Sequence, residues 1–197
     1  MGVDAFAESR IGRFVVKVLA AGMESRFRYR FFSPTRIIAG AEVYAGQTVL
    51  EVGCGTGYFT VPLARLIGNQ GRLIAIDVVA QSVELVSKKL QTVGLNAAEV
   101  VKADAIETGF AANSFDVVLL FGVIPAPMLP VSRLLPEMYR VLKVDGTMAV
   151  WPPIPGWLPQ SIIRSGLFTL SGRRNGVYSF KRSWQVYAGQ AESDTEA

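Results

Sequence analysis

Histidine is absent from the 197 residues, and cysteine occurs once, as Cys54. The first absence removes histidine-ligated metal sites, serine–histidine triads and imidazole as a general base. Any chemistry must rest on carboxylates, phenols, backbone groups or the reactivity of a cofactor, and no metal is expected. The second absence excludes an internal disulfide and fits a reducing, cytoplasmic compartment. Charge is also sparse, at 18% against 50% apolar residues, yet no apolar run reaches the roughly 20 residues a bilayer span needs. The first residues lack a short apolar core followed by a small-residue cleavage site, so no signal peptide is expected. Repeats and low-complexity linkers are missing too, and the length suits one domain with a sizeable core.

What charge there is sums to +4 and is unevenly spread. Residues 10–36 carry Arg10, Arg13, Lys17, Arg26, Arg28, Arg30 and Arg36, while the last residues are polar and acidic. In the same N-terminal stretch Ile11, Phe14, Val15, Val18, Leu19 and Met23 recur at helical spacing. That pattern predicts a basic amphipathic helix. It is open to three roles: covering the domain's own cleft, peripheral contact with an anionic membrane through residues 10–36, or a dimer contact. As a lid it would bring Tyr29 and Phe32 to a ligand. Ser33-Pro34 reads as the start of a further helix. The expected division is a helical cap over 1–45, a main domain over 46–184 and a polar tail over 185–197.

From residue 46 onward, strand-like and helix-like segments alternate. Strands are predicted at 48–53, 71–77, 97–103, 114–122 and 147–151, with helices at 58–67, 80–93 and 129–142. Pro62 is tolerable in the first of these helices because it falls in the first turn. Asp145-Gly146 reads as the turn before the fifth strand, and Asp116 as a structural acid at the start of the fourth. Such alternation predicts a doubly wound α/β domain, a parallel sheet with helices on both faces. Residues 168–182 break the pattern. Their two strand-like halves flank Asn175-Gly176, which supplies the two positive φ values of a type I′ turn, so the sheet should close in an antiparallel hairpin.

The turn after the first strand, residues 49–59, reads VLEVGCGTGYF. Ligands of open α/β sheets lie beyond the carboxyl ends of the strands, where strand order reverses. Gly53, Gly55 and Gly57 allow a tight turn and close backbone approach, and the following helix aims its N-terminal N–H groups at the same place. The spacing is not the dinucleotide fingerprint, because Tyr58 stands where its last glycine belongs, and the Gly-Lys-Ser/Thr of a phosphate loop is absent.

With EVGCGTG at residues 51–57, the chain resembles the class I S-adenosylmethionine-dependent methyltransferases, over roughly residues 46–182. The resemblance implies S-adenosylmethionine as cofactor and a seven-stranded, mostly parallel sheet with an antiparallel last strand. It implies that the loop Gly53, Cys54, Gly55, Thr56 and Gly57 holds the methionine and ribose portion, with Glu51 organising that end directly or through water. It implies that Asp77, about 24 residues after Gly53, accepts from the ribose hydroxyls while Val78 packs on the adenine. Asp104 and Ala105 would lie near the adenine amino group, and Phe121, Gly122 and Val123 where cofactor and substrate meet. The segment EMYRVLKVDGTMAVW matches the family's helix-to-strand ending, with Asp145 in place of its first glycine.

Methyl transfer to an acceptor needs positioning and exclusion of water, and a base only where the acceptor must lose a proton. No catalytic base stands out. The loops after the fourth and fifth strands, FGVIPAPMLP and WPPIPGWLP, are rich in proline and apolar residues. They make Gly122, Pro125, Trp151 and Trp157 candidates for a substrate site. The Asn/Asp-Pro-Pro-aromatic of amino-directed DNA enzymes is missing, which speaks against a nucleic-acid acceptor. A small, hydrophobic or lipid-like acceptor fits better. The alternative is a non-catalytic cofactor-binding or regulatory protein that has kept the fold.

Overall fold

Alternating apolar runs and helix-spaced segments become a seven-stranded sheet in the computed structural model, which describes residues 33–125, 129–152, 154, 156, 157 and 159–183. The amphipathic segment before residue 33, with Tyr29 and Phe32, and the tail after 183 lie outside the described residues.

In chain order the elements are α1 (Pro34–Ile38), β1 (Thr48–Val52), α2 (Thr60–Ile67), β2 (Arg72–Asp77), α3 (Ala80–Thr92), β3 (Ala98–Lys102) and β4 (Phe115–Phe121). Then follow α4 (Val131–Val141), β5 (Leu142–Trp151), α5 (Gln160–Arg164), β6 (Phe168–Arg174) and β7 (Val177–Arg182). Strand order is β3-β2-β1-β4-β5-β7-β6. The first five strands are mutually parallel, and β7 runs antiparallel to both β5 and β6. Order therefore reverses between β1 and β4, and the ends of these two strands frame the place where such sheets bind ligands.

Side chains alternate across the strands and divide the core in two. Val49, Leu73, Ala75, Val117, Leu119 and Ala149 meet α1, α2 and α3 through Ile37, Leu63, Val86 and Leu90. Leu50, Ile74, Val118, Leu120, Met148 and Phe180 meet α4 and α5 through Leu134, Leu135, Met138 and Ile162. Ile37, Ile38, Ala41 and Val43 are buried in the first of these layers, so the chain just before residue 45 belongs to the domain core.

The hairpin forms as its dipeptide predicts. Asn175 and Gly176 take φ of 51° and 80°, and Arg174 pairs with Val177. Ser33 caps α1, its hydroxyl accepting from the Arg36 N–H at 3.4 Å. Two expectations are corrected. The first helix of the domain begins at Thr60, because Gly57 has φ of 82° and Tyr58 and Phe59 turn inward to be buried, their rings edge to face at 4.9 Å. Pro62 still falls in the first turn, where its missing N–H has no helical partner to lose. Strand β5 begins at Leu142, five residues before the predicted start, and 145–146 lie inside it. The sheet absorbs the extra residues by an irregularity: Phe115 pairs with Leu142, but Val117 pairs with Thr147. Asp116 holds this place, accepting from Lys143 Nζ at 2.7 Å and from the Thr48 N–H at 2.8 Å.

Candidate functional site

The glycine loop is tied down before it reaches any ligand. The N–H groups of Gly53 and Cys54 both donate to the Ile76 carbonyl, at 2.8 and 3.0 Å, and the Gly57 N–H donates to the Cys54 carbonyl at 2.8 Å. Lys89 Nζ, from α3, donates to the Thr56 carbonyl at 3.0 Å. All three glycines have positive φ, 73°, 54° and 82° in order. Side chains are excluded here partly by the protein itself. A Cβ on Gly53 would stand 3.0 Å from a methyl of Val123, and one on Gly57 3.2 Å from a methyl of Val86. Val123 follows β4, so at Gly53 the loop after β1 packs against the segment after β4.

Asp77 closes the loop's other flank. Its Oδ2 accepts from the Gly55 N–H at 2.9 Å and its Oδ1 from the Val79 N–H at 3.0 Å. Burial holds its pKa above the usual carboxylate value, with these N–H bonds working in the opposite direction. Each oxygen has a second acceptor position, so the carboxylate can brace the loop and still receive a diol. Val78 beside it is half-buried.

Glu51 points from β1 to the face that α2 covers. It is 2% exposed, and its Oε2 has no hydrogen-bond partner. Burial pushes its pKa up to about 8; the Thr60 hydroxyl nearby lowers it and Asp77 raises it further. Thr60 opens α2 at 0% exposure, close enough to act on Glu51 but not hydrogen-bonded to it, and its Oγ1 is also unpartnered. Thr56, 6% exposed, is the third buried polar group here without a partner. Cys54 is buried next to them, and burial together with Glu51 and Asp77 drives its thiol far from ionisation, which argues against a redox role.

Buried polar atoms without partners are few in native proteins, and each needs a reason. Three of them at one glycine turn, beside two carboxyls, fit a ligand bearing a cation and hydrogen-bonding groups. The amino-acid end of S-adenosylmethionine has that chemistry. Glu51, Thr56 and the backbone of Gly53 to Gly57 are the residues that would hold it, with Asp77 placed for the adjoining ribose. Among the described residues no group of three or more acidic or cysteine side chains is placed to hold a metal ion.

The remaining candidates are dispersed. Asp104 is exposed, its Oδ1 accepting from the Ile106 N–H at 3.0 Å, while Ala105 is buried in the α4 layer. Phe121 and Trp151 are buried on the α2 face, both edge to face with Phe59, at 5.0 and 5.8 Å. Gly122 is exposed with φ of 73°, its N–H bonded to the Trp151 carbonyl at 2.8 Å. Pro125 is exposed at the end of the described part of its loop. Trp157 packs on the opposite layer from Trp151, so the structure separates two tryptophans that the sequence pattern places together. Sequence reasoning missed Thr60, Phe59 and Lys89. The first two lie just beyond the motif, and Lys89 is 33 residues from the carbonyl it holds.

Residues 49–146 match the family model described as a methyltransferase domain. Demethylmenaquinone methyltransferase of Oceanobacillus iheyensis is 37% identical over 105 residues, which is 53% of this chain and 43% of that protein. Demethylmenaquinone methyltransferase of Lactobacillus johnsonii is 30% identical over 135 residues, 68% of this chain and 52% of that one. The chain thus spans about half the length of the curated relatives it matches. A crystal structure of a SAM-dependent methyltransferase from Aquifex aeolicus aligns with a TM-score of 0.68 over 84% of this chain and 96% of that one, at 20% identity, which shows a shared fold.

Proposed function

From the premise that this chain belongs to the class I S-adenosylmethionine-dependent methyltransferase family, we propose that it methylates a small, apolar, lipid-like acceptor of the quinone kind. The observation that carries the reading is the set of unpartnered buried polar atoms, Glu51 Oε2, Thr56 Oγ1 and Thr60 Oγ1, at a glycine turn flanked by Asp77. S-adenosylmethionine supplies a methyl group activated by its sulfonium charge. Glu51 and the loop hold the amino-acid end, and Asp77 holds the ribose while bracing Gly55. Val123, just after β4 and beside Gly53, helps keep water from the line of transfer.

The acceptor is read from what the substrate loops contain. Neither 121–130 nor 151–159 carries a single titratable side chain. Such walls favour an apolar ring or chain and themselves offer no base; where the attacking atom must lose a proton, a carboxylate, a tyrosine or solvent takes it. The names of the relatives, demethylmenaquinone methyltransferases, agree with this chemistry. The basic and apolar residues of 10–36 suit contact with an anionic bilayer, where such an acceptor dissolves. No helix among the described residues is long and apolar enough to cross a membrane.

The test is transfer of a labelled methyl group to demethylmenaquinone in detergent, set beside water-soluble phenols and short RNA. Label in the quinone supports the reading, and label confined to polar acceptors overturns it. Binding of S-adenosylhomocysteine with no transfer to any acceptor favours the non-catalytic alternative. Co-sedimentation with vesicles containing phosphatidylglycerol should be lost when Arg26, Arg28 and Arg30 are changed to glutamate.

A further inference from the structure

The cofactor reading leaves the charge state of Glu51 open. An ionised carboxylate removed from water costs several kcal/mol unless a cation or hydrogen-bond donors meet it. Among the described residues no lysine or arginine forms an ion pair with Glu51. Asp77, at the end of β2, opposes a second negative charge, and the Cys54 thiol in the loop is held neutral. From β4, Leu119 and Phe121 present apolar side chains on the same sheet face. From α3, Lys89 directs its ammonium to the Thr56 carbonyl. From α2, Thr60 alone brings a polar group, and it is not yet hydrogen-bonded.

We propose that Glu51 is a neutral carboxylic acid in the free protein and gives its proton to solvent when an ammonium group is placed against it, with Thr60 as the positioning residue that orients the resulting carboxylate. This rests on the cofactor reading above, since the ammonium is that of the cofactor's amino-acid end. The step balances simply: the acid O–H bond breaks, water or buffer takes the proton, and a carboxylate–ammonium ion pair remains. Burial-driven weakening of the acid to about 8 agrees with this arrangement. Thr60 contributes because its hydroxyl donates a stronger, charge-assisted hydrogen bond to the anion than to the neutral acid.

The sign follows from linkage. Below about pH 8 the free protein holds the proton and must release it, so affinity rises with pH by up to tenfold per unit. Near pH 8 the dependence levels off, because the carboxyl is already ionised.

Calorimetry with S-adenosylhomocysteine, in buffers of different ionisation enthalpy between pH 6 and 8.5, tests this on the full chain. The expected result is release of close to one proton per ligand bound at pH 7 and an affinity gain of about tenfold from pH 6 to 7. Methylthioadenosine, which lacks the ammonium, should bind with no release. Glu51→Gln should bind S-adenosylhomocysteine without release and with a flat profile. Thr60→Val should move the midpoint to higher pH and weaken binding at pH 7 severalfold, and Thr60→Ser should restore both. Wild-type binding without proton release overturns the inference and leaves the cofactor reading standing, and the same holds if release persists in Glu51→Gln. An unmoved midpoint in Thr60→Val removes Thr60 from it. No binding of S-adenosylhomocysteine at any pH overturns the cofactor reading and the inference together.

Discussion

Asp77 shows how one side chain can serve the loop and the ligand together. Its two oxygens are already engaged by the N–H groups of Gly55 and Val79, so it fixes the turn before any cofactor arrives. Replacement by alanine removes two charge-assisted bonds and the proposed ribose contact, each worth about 1.5–3 kcal/mol. Asp77→Ala is therefore expected to weaken binding of S-adenosylhomocysteine by at least about a hundredfold while the far-ultraviolet dichroism stays unchanged. Unchanged affinity in calorimetry would remove Asp77 from the site. At this scale Asp77 was legible from its distance to Gly53 and its place after an apolar strand. Thr60 was not, because a hydroxyl in the first turn of a helix reads as an ordinary local cap. Its meaning comes from Glu51, nine residues earlier and brought close only when β1 and α2 stack.

At the scale of elements, β5 and α4 carry the tests. Gly146 lies where β5 bulges, and a Cβ there would stand 2.7 Å from Leu142 Cδ1 and 3.0 Å from the Asp116 carbonyl oxygen. Gly146→Ala should cost about 1–3 kcal/mol in urea denaturation, since backbone on one side cannot yield. The bulge escaped sequence reading because Asp145-Gly146 has the composition of a free turn, and only pairing with β4 draws it into the strand. Glu137 on α4 holds the loop after β3, accepting from the Thr108 N–H at 2.9 Å and from its hydroxyl at 2.5 Å, while Arg140 Nε donates at 2.7 Å. The Arg140 guanidinium, followed by Thr108, lowers the Glu137 pKa to about 2. A depressed carboxyl stabilises the fold above its unfolded value, and that stability is lost as pH falls from about 4.5 toward 2. Glu137→Gln should lower the melting temperature at pH 7 by a few degrees and flatten the acid limb over that window. Equal acid limbs in the two proteins would refute the assignment.

For the molecule as a whole, the sheet carries one apolar layer on each face, and the glycine turn stands where strand order reverses between β1 and β4. Distant pieces close the first layer. Asn175 Nδ2, in the hairpin turn, donates to the Arg36 carbonyl of α1 at 2.8 Å, and a Cβ on Gly40 would overlap the Arg174 carbonyl oxygen. The hairpin therefore anchors α1 and the turn after it as well as closing the sheet. Glu51 sets the pH response of this assembly without cofactor. Its folded value is raised, so the penalty for ionising it is absent below about pH 4.5 and grows until about pH 8. Glu51→Gln should leave urea stability at pH 5 nearly unchanged and raise it at pH 9, on the order of 3 kcal/mol. Equal stability of the two proteins at pH 9 would show that Glu51 ionises at no cost.

By itself the sequence determined what depends on near neighbours along the chain. Positive φ at Gly53, Gly55, Gly57, Asn175 and Gly176 follows from residue type, and the order of strands and helices from the spacing of apolar side chains. Only the tertiary structure decided what depends on exclusion of water and on partners far away in the chain. It buried Glu51 beside Thr60 with an oxygen unmet, turned Trp151 and Trp157 to opposite layers, and carried Lys89 to the Thr56 carbonyl. Desolvation is set by everything that surrounds a group, so a carboxyl that reads in sequence as an ordinary anion becomes, inside this fold, an acid awaiting a cation.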